Sequence, residues 1–309
     1  MKSIRREQTS NSLSFINSLT SQTNKIYMVM TMQSITSFHK VACTVVHEIS
    51  YMIDVIMFKL WCKITGCKSH VHSYSSITDY TNNNSGNPSQ IIIGLHGMRS
   101  MPHQFIEYIK LYESMNPSVR QKTMFVVPEI INRGDCDMNT VLDNLKQTLH
   151  PLFDPASPLS KDDIPICFIG ISNGGRIALQ FRQKLLSPER PVHIISLGSP
   201  LRGTNRMNIL LRFPLFSKII GYHPALHHEM FYHQTDMKDG DFETIPNFTI
   251  TCYAAKYDHV VAPTSSSFHP NGKKILIDNR GHLSLPEYVA KDVLTECMNY
   301  FEEQEIKNV

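Results

Sequence analysis

Ser172 lies in the string Gly-Ile-Ser-Asn-Gly, between an apolar run and a helical pattern. Gly170 and Gly174 flank it in a G-x-S-x-G arrangement, in which a strand turns so tightly into a helix that a Cβ at either glycine would collide with its neighbours. The turn also holds the serine in strained dihedral angles and exposes its hydroxyl above the sheet. This spacing predicts a nucleophilic serine, and the string alone leaves open a glycine-rich turn with an incidental serine.

A serine nucleophile needs a base and an acid that orients the base. Asp258 follows the strand candidate TITCYAA, and His282 follows the strand candidate KKILID and a short turn. Both positions fit the carboxyl ends of parallel strands, where functional groups of doubly wound sheets collect. We expect Asp258 to accept a ring N–H of His282 and His282 to take the proton of Ser172.

The loop His96-Gly97-Met98 follows the first clear strand candidate of the domain. Acyl transfer needs two backbone N–H donors for the negative charge that develops on the substrate oxygen, one after the nucleophile and one from the first strand-to-helix loop. We therefore expect an oxyanion hole made by the amides of Met98 and Asn173. His96 and Gly97 support this loop, and His96 is expected to brace it rather than to titrate.

The elements that position these residues alternate between strands and helices. Such alternation is typical of a mostly parallel sheet covered by helices on both faces. The strand candidates are 90–95, 123–127, 164–169, 192–197, 247–253 and 273–278. The helix candidates of this region are 102–114, 138–151, 173–186 and 286–303. A polar stretch over 81–90 predicts a linker, so that residues 91–309 form the catalytic domain.

Residues 1–80 form an N-terminal extension with a strongly apolar helix near 39–62. The helical spacing is carried by Val41, Val45, Ile49, Met52, Ile56 and Leu60. Such a helix needs a cover, and the main domain, a second copy of the chain and a membrane interface all remain open. The charges of Glu48, Asp54 and Lys59 argue against a conventional transmembrane span.

The overall composition excludes several classes of function. The chain has 309 residues, a net charge of +3 and no dense Lys/Arg run, so a nucleic-acid partner is not expected. Seven scattered cysteines lack C-x2-C spacing, and the histidines of 223–233 miss the H-E-x-x-H spacing, so no metal is expected. The first 25 residues lack a secretory apolar core, which favours a cytoplasmic or peripheral membrane location. The oligomeric state is not readable from the chain.

Residues 89–303 resemble an α/β-hydrolase of the serine lipase and esterase type. The resemblance rests on the strings LHGM, GISNGGR, SLGSPLRGT, YAAKYDHVV and GHLSL, and on the chain order Ser, Asp, His. The third string is similar to a lipase segment, with Leu201 where a histidine is usual.

The resemblance implies an α/β-hydrolase fold and cleavage of carboxylic, lipid or acyl, esters through an acyl-enzyme, with a small-molecule or lipid ester as substrate and no cofactor. Residues 205–240 lie where such hydrolases often insert a cap. The alternative is a non-catalytic scaffold that keeps the hydrolase fold and docks to a membrane or partner through the N-terminal helix.

Overall fold

The structure is a computed structural model that describes residues 37–46, 48, 49, 53, 74, 88–204 and 247–307. Six strands form one sheet. They are β1 Gln90–Leu95, β2 Thr123–Val126, β3 Ile166–Ile171, β4 Val192–Leu197, β5 Phe248–Ala255 and β6 Lys273–Ile277. The predicted cap (205–240) and most of the predicted linker lie outside the described residues.

All six strands are parallel and follow the order β2-β1-β3-β4-β5-β6. Their carboxyl ends therefore meet along one edge of the sheet. The inner strands β1, β3 and β4 are nearly continuous runs of buried residues, as expected where both faces of a parallel sheet are covered. The predicted fold class, a mostly parallel sheet covered by helices, is confirmed.

The described helices are α1 (residues 37–46, 48 and 49), α2 Ile106–Glu113, α3 Pro117–Lys122, α4 Met138–Thr148, α5 Asn173–Leu185, α6 Leu285–Tyr288 and α7 Ala290–Lys307. Two apolar clusters fill the space on either side of the sheet. One packs α4 and α5 against Ile91 and Ile93, and the other packs α2 and α7 against Ile92. The alternation along β1 thus sends neighbouring side chains into opposite cores.

The sequence predicts the strands closely and misses short helical segments. β1 and β4 have the predicted bounds, whereas β3 begins two residues later and runs to Ile171, directly before Ser172. The unpredicted α3 has six residues, none of them buried, so it carries no apolar periodicity. Its only signal is the start, where Pro117 follows Asn116 and the Asn116 side chain accepts a bond from the Ser118 amide.

Helix α1 packs on the domain that contains the sheet with a polar side rather than an apolar one. Thr44 and Glu48 are buried, whereas Val41, Val45 and Ile49 are 43%, 50% and 49% exposed. The apolar residues of α1 have the expected spacing. In the described turns, however, the main domain does not cover the face that carries Val41, Val45 and Ile49. Hydrogen bonds from Leu283 and Ser284 to Glu48 account for this orientation, since a carboxylate can be buried only where donors satisfy it.

Candidate active site

Ser172 occupies a turn between β3 and α5 that only small residues can build. Its φ is 52° and its ψ is −122°, which is a strained backbone for a residue with a Cβ. A Cβ on Gly174 would lie 2.0 Å from the backbone oxygen of Leu95, and one on Gly170 would lie 2.4 Å from the Cα of Gly175. Both predicted glycines are therefore required by close approach of the backbone, in the strand-turn-helix context that the motif needs.

The structure brings the three predicted side chains together at the carboxyl edge of the sheet. His282 Nε2 lies 3.0 Å from Ser172 Oγ, and His282 Nδ1 lies 2.8 Å from Asp258 Oδ2. His282 is 8% exposed and Asp258 is 4% exposed, so the contact between imidazole and carboxylate is shielded from water. An ionised carboxylate only accepts hydrogen bonds, so Nδ1 carries the ring proton and Nε2 can accept the Ser172 O–H.

The carboxylate of Asp258 is held in its ionised form. Its Oδ1 accepts the amides of Val260 at 2.8 Å and Val261 at 2.7 Å, while its Oδ2 faces His282. Burial works to raise the pKa of Asp258, but the charge and hydrogen bond of His282, together with the two amides, outweigh burial and lower it.

The pKa of His282 moves in the direction that suits a base whose protonated form must be stabilised. Burial works to lower this pKa, but Asp258 and, to a smaller extent, Glu48 raise it above its ordinary value. The site therefore favours the protonated form of His282.

The predicted oxyanion loop packs directly against the serine. A Cβ on Gly97 would lie 3.1 Å from the Cβ of Ser172. A Cβ on Gly134 would lie 3.9 Å from the Cα of Met98 and 3.8 Å from the side-chain nitrogen of Asn173. Met98 and Asn173, the two residues expected to supply amide donors, thus both lie close to Gly134, and Gly97 of the same loop lies against Ser172.

His96 braces this loop through both ring nitrogens. Its Nδ1 lies 2.9 Å from the carbonyl oxygen of Gly97, and its Nε2 lies 3.3 Å from the amide of Ile130. These partners assign the proton to Nδ1, so that Nε2 accepts. Burial lowers the pKa of His96, which keeps the ring neutral.

Two residues near the site were not predicted from the sequence. Gly198 has a φ of +56°, and a Cβ there would lie 3.3 Å from His282 Nδ1 and 3.5 Å from Asp258 Oδ2. The string SLGSPLRGT contains this glycine, but only the fold shows that it makes room for the imidazole and the carboxylate. Glu48, from α1, accepts hydrogen bonds from the loop that carries His282, and no sequence pattern links positions 235 residues apart.

Within the part of the chain that the structure describes, no group of three or more His, Cys, Asp or Glu side chains could hold a metal ion. The histidines of 223–233 lie outside that part. The described helices include none with both the length and the apolar character needed to cross a bilayer.

Comparison with known proteins finds similarity to solved structures only. No family model matches the chain, and no curated protein matches it. The chain is similar to a lipase-esterase related protein from Clostridium acetobutylicum, with 18% identity, a TM-score of 0.45, and coverage of 70% of this chain and 96% of that one. It is also similar to the Bacillus licheniformis lipase BlEst2, with 10% identity, a TM-score of 0.49, and coverage of 69% and 94%. An esterase from Exiguobacterium antarcticum gives 15% identity, a TM-score of 0.42, and coverage of 68% and 92%. The assignment of an α/β-hydrolase fold rests on the strand order and on the turn at Ser172.

Proposed function

We propose that this chain, with its α/β-hydrolase fold, is a serine hydrolase that cleaves carboxylic esters, lipid or other acyl esters, through a covalent acyl-enzyme. The observation that carries the proposal is the continuous hydrogen-bonded path from Asp258 Oδ2 through both nitrogens of His282 to Ser172 Oγ. A structural ion pair would need the contact between His282 and Asp258 only. The serine at the end of the path is held in a strained backbone conformation, and such strain is common at functional sites.

In the first half of the reaction, Ser172 Oγ attacks the ester carbonyl carbon and its proton passes to His282 Nε2. The amides of Met98 and Asn173 stabilise the resulting oxyanion. When the tetrahedral intermediate collapses, the bond to the alcohol oxygen breaks and His282 Nε2 donates its proton to the leaving alkoxide. An ester of Ser172 remains.

In the second half, water replaces the alcohol. His282 Nε2 takes one proton from the water as its oxygen attacks the acyl carbon, and the collapse returns that proton to Ser172 Oγ. The products are a carboxylic acid and the free enzyme. Asp258 stays ionised throughout and stabilises the imidazolium in both halves.

A fluorophosphonate probe tests the proposal. We expect labelling of the folded protein that is abolished by Ser172→Ala and by heat denaturation, and retained by the control Ser118→Ala, which removes an exposed serine hydroxyl on α3. Failure of the folded protein to label would favour the non-catalytic scaffold. Hydrolysis of p-nitrophenyl esters of graded length then separates the substrate classes, since a short-chain preference indicates an esterase and a long-chain preference a lipase.

A second candidate function is contact with a membrane surface through residues 39–62. The exposed side chains of Val45, Val46 and Ile53, at 50%, 64% and 54%, favour it. Flotation with liposomes tests it: we expect the full chain to float and a chain lacking residues 1–80 to remain at the bottom. Equal behaviour of the two chains would rule out this role for the extension.

A further inference from the structure

The carboxylate of Glu48 is buried against the loop that carries His282. Its Oε2 accepts the amide of Leu283 at 2.9 Å, and its Oε1 accepts the amide and the hydroxyl of Ser284 at 2.8 Å and 2.6 Å. Glu48 is 8% exposed. Three donors compensate the charge for the loss of water, which allows an ionised carboxylate at this depth.

The residue that precedes His282 also lies against Glu48. A Cβ on Gly281 would lie 2.6 Å from Glu48 Cδ and 2.9 Å from Oε1. The loop therefore contacts the carboxyl group both before and after His282. The backbone segment that carries the imidazole is thus held by hydrogen bonds to Glu48 on one side of His282 and lies in close contact with Glu48 on the other side.

Glu48 also contacts the neighbouring loop that carries the acid. His259 Nδ1 lies 3.5 Å from Glu48 Oε2, and the His259 and His282 rings are 6.4 Å apart between centroids. The titratable groups that face His282 from the described elements are thus Asp258 and His259 on the loop after β5, and Glu48 on α1. One side chain of the extension contacts both loops that supply the base and the acid.

We propose that Glu48 is a positioning residue for His282, so that α1 of the N-terminal extension completes the active site instead of merely covering it. The inference rests on the proposed hydrolase function. The carboxylate holds the backbone of residues 281–284 with the imidazole in line with Ser172, and its charge adds to that of Asp258 in favouring the imidazolium.

The variant Glu48→Gln tests this with almost no change in volume. Its side-chain NH2 would face one of the loop N–H donors, so the loop should shift. We expect kcat on a p-nitrophenyl ester to fall about tenfold to a hundredfold, because small displacements of a reacting group are costly, while KM stays within about twofold. We also expect the acid limb of the kcat/KM profile to move to lower pH, since removing a negative charge disfavours the imidazolium.

Glu305→Gln is the matched control, because Glu305 is exposed on α7 and pairs only at the surface with Lys122. We expect it to leave kcat and the pH profile unchanged. If Glu48→Gln does not fold, Ser284→Ala removes one of the three hydrogen bonds but keeps the charge of Glu48. It should lower kcat by less than Glu48→Gln and leave the acid limb in place.

Two results would overturn the inference. One is wild-type kcat in the folded Glu48→Gln variant, or in Ser284→Ala where that variant is the one measured. The other is a Glu48→Gln variant with a lower melting temperature and an unchanged acid limb, which would mean that Glu48 only stabilises the fold. Failure of the proposed function itself is distinguishable, because Ser172→Ala would then hydrolyse the ester as fast as the wild type.

Discussion

Replacing Asp258 by Asn tests how the acid controls the proton on His282. In the native site, Oδ1 of Asp258 accepts two amides, from Val260 and Val261, and Oδ2 accepts from His282 Nδ1. An Asn side chain has one oxygen and one NH2. If its oxygen keeps both amide bonds, its NH2 faces Nδ1, which must then accept, and the ring proton moves to Nε2, where it blocks acceptance of the Ser172 proton.

The productive tautomer returns only if the Asn amide turns over and leaves two buried N–H donors without an acceptor. At about 1–3 kcal/mol for each unsatisfied donor, this costs about 2–6 kcal/mol, or roughly 30-fold to 10^4-fold in rate. The same substitution in a serine-protease triad lowers kcat about 10^4-fold. We therefore expect Asp258→Asn to lose activity near the upper end of this range.

The assay is hydrolysis of a short p-nitrophenyl ester at pH 8, with circular dichroism to verify the fold. Asp143→Asn is the matched control, since Asp143 is exposed on α4 and is not one of the residues of the proposed site, and it should retain wild-type kcat. Activity of Asp258→Asn within about threefold of the wild type would refute the reasoning and assign the orienting role to another carboxylate.

Three further predictions concern pH, the turn and the core. Because the pKa of His282 is raised and only the neutral ring accepts the serine proton, the acid limb of kcat/KM should have its midpoint above pH 6.5; a midpoint below 6 would contradict this. Gly174→Ala places a Cβ 2.0 Å from a backbone oxygen. We therefore expect the variant to lose more than about 3 kcal/mol of unfolding free energy. A variant that is active and as stable as the wild type would contradict this expectation. Glu296→Gln should make the free energy of unfolding, measured by denaturant titration, depend less on pH below 4.5. The same pH dependence in variant and wild type would contradict this.

The prediction for Glu296 follows from its hydrogen bonds. Burial works to raise its pKa, but His193, Thr251 and Tyr253 lower it to about 2. A depressed pKa in the folded state means that the stabilisation is complete above the unfolded value of 4.5 and is lost as pH falls from 4.5 towards 2. As pH falls through this range the wild type should lose up to about 3 kcal/mol of unfolding free energy, a loss that the variant without this carboxyl group does not share.

The sequence predicts the catalytic geometry where the chemistry is encoded locally. Gly170, Ser172 and Gly174 are close in the chain, and the turn they form has only one way to fit between a strand and a helix. Asp258 and His282 are predicted because each follows a strand candidate, and parallel strands bring their carboxyl ends to one edge. The catalytic roles of all three side chains remain predictions until they are measured.

The sequence fails where an interaction depends on the packing of distant segments. Apolar spacing in α1 suggests that Val45 faces inward, but the buried side carries Glu48, because hydrogen bonds to residues 283 and 284 decide the orientation. The same applies to Gly198, whose need for a small side chain arises from His282 and Asp258, which follow it by many residues. Neither the burial of Glu48 nor the need for a small side chain at Gly198 is marked by a periodicity or a motif in the segment that contains the residue.

The most direct test of the central claim is the stoichiometric reaction of the protein with diethyl p-nitrophenyl phosphate. Attack by Ser172 Oγ would release p-nitrophenol and leave a diethylphosphoryl ester that water removes only slowly. The account predicts one equivalent of p-nitrophenol for each folded chain and, by peptide mass spectrometry, the adduct on Ser172, with release that is far slower in His282→Ala. Release no faster than in buffer, or an adduct on a different residue, would contradict it.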